Sequence, residues 1–312
     1  MIRTKKATAI ILTAALLLGA CCGCSSKDIK GSDTIVFPKD ELLSSYRSES
    51  DPEAQEIKGT DRAKAFHFYR GETEIYGELY KPEGDGPFPV IVISGGFATT
   101  HDSYRSMAQY YADNGFIGVV YDPSDMGEYG QKIDDFIHWS PLTEAADIES
   151  IVSALSKLPF VDDDNVFLWG HSMGGFASGY VGFKNPDLIR GLILVEPAFY
   201  LNEEAKEMFP DTSAIPAVVE GDPYFGKNYY EDLCSFDIYE YMPKYDHKVV
   251  IFGGMESPSI GTDEPEIITK AGEKLPSCKI VYVYGADHYF SGIYMNKVIK
   301  DTVDIVKENL KE

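Results

Sequence analysis

Basic residues are scarce in this chain: 28 lysines and arginines stand against 50 aspartates and glutamates, leaving a formal charge of −22. A surface this acidic repels phosphate backbones, which excludes nucleic acid as a partner. Cysteine is sparse as well. Of the five, three crowd together at Cys21, Cys22 and Cys24, and the body holds only Cys234 and Cys278. These two show no metal-ligand spacing; they either pair with each other or stand as buried thiols. The acidic stretch 162–165 lacks the glycine and closing glutamate of a calcium loop and reads as a solvated turn. Neither the composition nor the 312-residue length suits a disordered or fibrous protein, and both fit one large α/β domain able to bury a substantial core.

The amino terminus carries the one sustained targeting pattern. Arg3, Lys5 and Lys6 precede an apolar run at residues 7–18, which is too short for a membrane-spanning helix. The run closes on Leu18-Gly19-Ala20-Cys21, which resembles the bacterial lipobox; the resemblance implies that Cys21 is lipidated and becomes the mature amino terminus. Cys22 and Cys24 lack a leucine three residues before and an alanine directly before. An ordinary cleaved secretory signal is the plainer reading of the same residues. The expectation is a signal peptide at 1–20 and an extracytoplasmic lipoprotein held to the membrane by its lipid. Without the three basic residues of that signal the charge deepens from −22 to −25.

Residues 21–61 are polar after the cysteines, without a sustained period, and read as a tether. From residue 62 onward the pattern changes. Two runs at 65–69 and 75–80, parted by Arg70-Gly71-Glu72, predict an edge hairpin. Unbroken apolar runs follow at 90–93, 116–121, 166–169, 192–195, 249–252 and 280–284, the mark of strands buried on both faces of a parallel sheet. Helical segments separate them, at 103–113, after the Ser140-Pro141 cap, and at 298–310. Alternation of this kind predicts a doubly wound α/β fold over residues 62–312. The aromatic-rich stretch at about 198–246 interrupts the alternation and reads as a cap inserted between core strands.

Gly170-His171-Ser172-Met173-Gly174 lies between a predicted strand and a predicted helix. In this context it resembles the nucleophile elbow of the α/β-hydrolase family, and the resemblance covers nearly everything from about Ala65 to the carboxyl terminus. The glycines have a steric reason: the turn is too tight for side chains on either side of the serine. A serine hydroxyl needs a base, and the family order of serine, acid, histidine puts that base after the last strand, at His288. Asp287 is set aside as the acid because adjacent side chains diverge. His171 reads as a packing histidine, His138 and His247 as surface groups.

The family's acid loop follows the strand at 249–252, where this chain has Gly253-Gly254-Met255-Glu256, so Glu256 is the expected acid; Asp263 and then Glu196 are the other candidates. Ser94-Gly95-Gly96-Phe97 occupies the place of the oxyanion turn, with the N–H groups of Phe97 and Met173 as the expected donors. Asp122 and Asp125 read as residues of the pocket rim or as plain turn formers. Together these residues imply a serine hydrolase working by acyl transfer, without metal or organic cofactor, on a carboxylic ester with an apolar or aromatic acyl group. A short-peptide aminopeptidase is the first rival, with Glu220, Asp222 or Glu231 able to clamp a substrate amine. A non-catalytic surface lipoprotein that keeps the fold is the second.

Overall fold

Strand-forming runs and capped helices alternate through the computed structural model, which describes residues 35–37, 63–70, 73–124, 138–217, 219, 225–256 and 264–312. The signal at 1–20, Cys21, the Gly71-Glu72 turn, Asp125, Glu220, Asp222 and Asp263 lie outside these residues. The strands are β1 (Ile35–Phe37), β2 (Ala63–Arg70), β3 (Thr73–Tyr80), β4 (Phe88–Ser94), β5 (Ile117–Tyr121), β6 (Val161–His171), β7 (Gly191–Val195), β8 (Lys248–Gly254) and β9 (Cys278–Val283). They form one sheet in the order β1-β9-β8-β7-β6-β4-β5-β3-β2. The expected edge hairpin is present as the antiparallel pair β2–β3; β3 also runs antiparallel to β5, and the other pairs are parallel. β1 falls inside the segment whose composition suggested only a tether, and three apolar residues suffice to extend the sheet beside β9.

Both faces of the sheet are covered. Along β4, Val90 and Val92 point into one apolar cluster and Ile91 and Ile93 into the other, the period-two alternation of a strand with no wet side. On one face lie α1 (Arg105–Asp113) and α7 (Ile293–Glu308). On the other lie α2 (Pro141–Leu155), α3 (Ser172–Lys184), α6 (Glu264–Lys274) and the cap helices α4 (Leu201–Met208) and α5 (Lys227–Cys234). α2 begins where its sequence signals it: Ser140 Oγ accepts from Thr143 N at 3.1 Å, Thr143 Oγ1 accepts from Ser140 N at 3.0 Å, and Pro141 fills the first turn. The interrupting segment is helical and 3-10 in its described parts, as a cap rather than a strand run.

The parallel strands bring the carboxyl ends of β4, β6, β7, β8 and β9 to one edge of the sheet, which is where open α/β sheets bind ligands. Among the described residues no helix is long and apolar enough to cross a membrane. Cys234 and Cys278 are both free thiols, which decides the choice left open by their spacing.

Candidate active site

Ser172 opens α3 directly from the end of β6, with φ at +54°, a left-handed backbone that a serine adopts only when its surroundings impose it. The imposing contacts are those of the flanking glycines. A Cβ on Gly170 would lie 2.5 Å from Gly174 O, and one on Gly174 would lie 2.5 Å from Ser94 O. Only glycine at both positions lets the first turn of α3 press against the end of β4. The turn lifts Ser172 Oγ to 3.1 Å from His288 Nε2, within hydrogen-bond reach.

His288 follows β9 through Gly285, whose φ is +82°. Its loop is pinned at both sides. Met255 N and Glu256 N donate to Val283 O and Ala286 O, each at 3.0 Å, while His171 Nε2 donates to the His288 carbonyl at 2.8 Å. His171 is therefore a structural histidine, but one that braces the loop of the histidine facing the serine.

The carboxylate brought to the other side of the imidazole belongs to Glu196. It stands at the end of β7, again with a left-handed φ, +46°, and is 3% exposed. Its Oε2 lies 4.0 Å from His288 Nδ1, its Oε1 accepts from Gly254 N, and its own N–H donates to Phe252 O at 2.9 Å. Glu256, the acid expected from the loop pattern, is instead an exposed residue that contributes its backbone N–H to the His288 loop. The physical reason is the route of the chain after β8: Gly254 lies flat against Ala286 and Asp287, so the loop is spent on contacts with the histidine's backbone. Asp263 is outside the described residues.

Facing the serine is the turn after β4. Gly96 N donates to Tyr104 Oη at 3.4 Å, and Gly96 O accepts from Thr99 Oγ1 at 2.7 Å. A Cβ on Gly96 would come within 3.4 Å of Ser172 Cβ and 2.9 Å of His171 Nδ1, so this backbone approaches the nucleophile as closely as glycine permits. Phe97 and Met173, the two expected oxyanion donors, line one pocket beside it. Met173 is the second residue of α3, where the backbone N–H has no intrahelical acceptor and the helix end favours negative charge.

The remainder of that pocket was not legible as a site. Its walls include Tyr104, Tyr121, Trp139 and Glu144, contributed by α1's approach, β5 and the start of α2. The cap closes over it: Phe225 stacks on Tyr229 with centroids 4.0 Å apart and meets Trp139 at 5.7 Å and Phe97 at 5.3 Å. Burial, and then the neighbouring charge of Asp147, push the Glu144 carboxyl up to about 8. Asp122, read as a rim residue or a turn former, is buried and holds His101, with Oδ2 at 2.8 Å from Nδ1 and Oδ1 accepting from the His101 N–H at 2.8 Å. His138 is exposed as expected, and His247 is half-buried, with Nδ1 3.3 Å from Arg190 Nη1. Among the described residues no group of three or more His, Cys, Asp or Glu side chains is placed to hold a metal ion.

A strand–turn–helix with the serine in a left-handed backbone, a histidine after the last strand and a glycine turn opposite is a family arrangement, and comparison with known proteins agrees. The chain has the fold of the α/β hydrolases. The family model described as serine aminopeptidase, S33, matches residues 85–219. Esterase FrsA of Shigella boydii serotype 18 (strain CDC 3083-94 / BS512) is 26% identical over 171 residues, covering 52% of this chain and 39% of the relative, so the chain spans about two fifths of that protein's length. Among solved structures, DcsB in complex with its substrate analogue superposes with a TM-score of 0.65 at 20% identity, covering 80% of this chain and 100% of the other. Est1E from Butyrivibrio proteoclasticus with bound ferulic acid gives 0.62 at 21%, covering 78% and 97%. At these identities the structural likeness establishes the α/β-hydrolase fold.

Proposed function

We propose that this α/β-hydrolase is a carboxylic ester hydrolase acting by acyl transfer, with Ser172 as nucleophile, His288 as general base and Glu196 as the acid that orients it. The observation that carries the reading is the 3.1 Å approach of Ser172 Oγ to His288 Nε2 from a serine held at φ +54°. In the proposed reaction His288 Nε2 takes the hydroxyl proton as Oγ bonds to the acyl carbon. The carbonyl oxygen becomes negative against the N–H groups of Phe97 and Met173. His288 then returns the proton to the departing alkoxide, leaving an acyl-serine. A water, deprotonated by the same imidazole, releases the acid and restores Ser172. Glu196 supports the imidazolium formed in each half of the cycle. The 4.0 Å separation from Nδ1 is long for a hydrogen bond, and it is expected to tighten when the ring is charged.

Two features favour esters over peptides. The aromatic cap suits an apolar acyl or alcohol group. Of the acidic cap residues that suggested an amine clamp, Glu231 already pairs with Lys227 at 2.9 Å. The match to a family model named for aminopeptidases supports the second reading, cleavage of short peptides by the same residues. The lipobox supports attachment outside the cytoplasm through Cys21. Turnover of p-nitrophenyl esters against aminoacyl amides separates the two substrate classes. Ser172→Ala is expected to abolish ester hydrolysis and labelling by a fluorophosphonate while the circular dichroism spectrum stays that of the wild type. Activity near wild type in that variant would sink the proposal.

A further inference from the structure

We propose that Asp122 is a positioning residue of the oxyanion turn, acting through His101 to hold the segment on which Gly96 and Phe97 rest. This rests on the ester hydrolase reading and deepens it, naming what sets the donors that face the carbonyl oxygen. Asp122 directly follows β5, is 5% exposed, and has its own N–H tied across to β3, donating to Tyr76 O at 2.9 Å. Both of its oxygens go to one residue: Oδ1 accepts from the His101 N–H and Oδ2 from His101 Nδ1, each at 2.8 Å. A carboxylate only accepts, so Nδ1 carries the proton. A buried carboxylate is costly without such partners, and here they fasten the first residue of the 3-10 turn His101–Tyr104 by main chain and side chain together. Arg105 closes the far side of the ring, with Nη2 2.9 Å from Nε2, and its Nε donates to Glu78 Oε2 at 2.7 Å.

The segment so fastened carries the groups that shape the turn. Two residues before His101, Thr99 gives both its N–H and its Oγ1 to Gly96 O, at 3.2 and 2.7 Å. Three residues after it, Tyr104 Oη receives the Gly96 N–H at 3.4 Å. A Cβ on Gly95 would collide with Thr99 Oγ1, so no slack separates the turn from this support. Ala98, between Phe97 and Thr99, has φ at +58°, a left-handed backbone that alanine keeps only under constraint from both sides. On one side the constraint is β4. On the other it is the 99–104 segment and, through His101, Asp122. Released from His101, Ala98 would relax and carry the Phe97 N–H with it. Because an oxyanion forms only in the reaction, the loss should fall on kcat rather than on KM.

The experiment measures kcat and KM for p-nitrophenyl acetate and for its thiono analogue, in which sulfur replaces the carbonyl oxygen. Donors set for an oxyanion fit the longer C–S bond and larger sulfur poorly, so the oxo-to-thiono ratio of kcat/KM reads the donor geometry. The wild type should favour the oxo ester. Asp122→Asn keeps the size of the side chain and an acceptor for the His101 N–H, but loses the second acceptor for Nδ1. It is expected to lower kcat for the oxo ester by about tenfold or more, since one oxyanion donor is worth about a hundredfold, while KM stays within about threefold. The oxo-to-thiono ratio should fall by a similar factor of about ten. General damage would slow both esters and leave the ratio standing. A pair of variants at His101 serves if Asp122→Asn fails to fold. His101→Leu should lower the ratio as Asp122→Asn does, and His101→Asn, whose amide can donate from near the place of Nδ1, should recover most of it. The inference is overturned if the wild type handles the two esters alike, if Asp122→Asn keeps the wild-type ratio, or if the two His101 variants lose it equally or not at all. Should any of these hold while the wild type turns over p-nitrophenyl acetate and is labelled at Ser172 by the fluorophosphonate, the clamp alone fails. Absence of both labelling and turnover in the wild type would remove the hydrolase reading beneath it.

Discussion

Glu196 and Glu256 carry the same functional group after neighbouring strands, and what separates them is burial. Glu196 is shut away at the end of β7, where a charged carboxylate persists only with partners, and Gly254 N–H and His288 supply them. Glu256 is exposed, where water screens its charge. Glu196→Gln is expected to lower kcat by about a hundredfold or more, given that the corresponding acid is worth about ten-thousandfold in a serine protease. Glu256→Gln should stay within about threefold of wild type in the same steady-state assay. Reversal of that order would return the acid to the loop after β8. Glu144 gives a second test at this scale, in stability. Its carboxyl titrates near 8 in the fold because burial penalises the charge, against a reference value of 4.5. The folded protein therefore holds this proton more tightly than the unfolded chain. Its contribution is fully present below about 4.5 and is lost as pH rises through about 8. Glu144→Gln keeps the acceptor for Tyr121 and cannot ionise, so its melting temperature relative to wild type should climb between pH 5 and pH 9. A difference independent of pH across that range would contradict the assignment.

At the scale of elements, the site is a set of strand ends held in register by close backbone contacts. Gly254 is the tightest of them on the histidine side: a Cβ there would lie 2.6 Å from Ala286 O and 2.8 Å from Asp287 O. Its N–H also anchors Glu196. One added methyl must push β8 and the His288 loop apart, moving base and acid together. Gly254→Ala is expected to cut kcat by at least about tenfold and to cost about 1–3 kcal/mol of stability, the usual range for overpacking. Paired kinetics and denaturant melts check this; a variant of wild-type kcat would show that the loop has slack. The cap is tied down by similar means. Ser140 caps α2 and also donates to Asp232 of α5, so the start of one core helix fixes the position of a cap helix over the pocket.

For the whole molecule, the acidic charge and the proposed leader bear on the proposed location rather than on the substrate. A charge of −22 repels anionic surfaces, so the proposed attachment through Cys21 would depend on the lipid rather than on charge. If Cys21 is that attachment point, metabolic labelling with a palmitate analogue marks the wild type and not Cys21→Ala. Label that persists in Cys21→Ala and disappears in Cys22→Ala or Cys24→Ala would place the lipobox wrongly.

Ser172 and His288 were legible from the sequence because their constraints are local. A serine between two obligatory glycines, after an apolar strand and before a helix, states its own backbone geometry, and a histidine just past the last strand needs only the strand count to be found. The succession of strands along the chain and the two-sided burial of the sheet follow in the same way from unbroken apolar runs, whereas their order in the sheet does not. Which carboxylate meets the imidazole is a different kind of fact. Glu196 and Glu256 follow neighbouring parallel strands that end on one edge, and the loop pattern favours Glu256. The outcome depends on the register of β7 against β8, on the left-handed backbone at Glu196, and on Gly254 giving its space to the His288 loop. The pocket has the same origin. Trp139 and Glu144 sit at the start of a well-signalled helix, where the sequence shows only an N-terminus. Only the packing of the cap against that helix and the glycine turn brings a buried indole and a buried acid into one pocket with Phe97 and Met173.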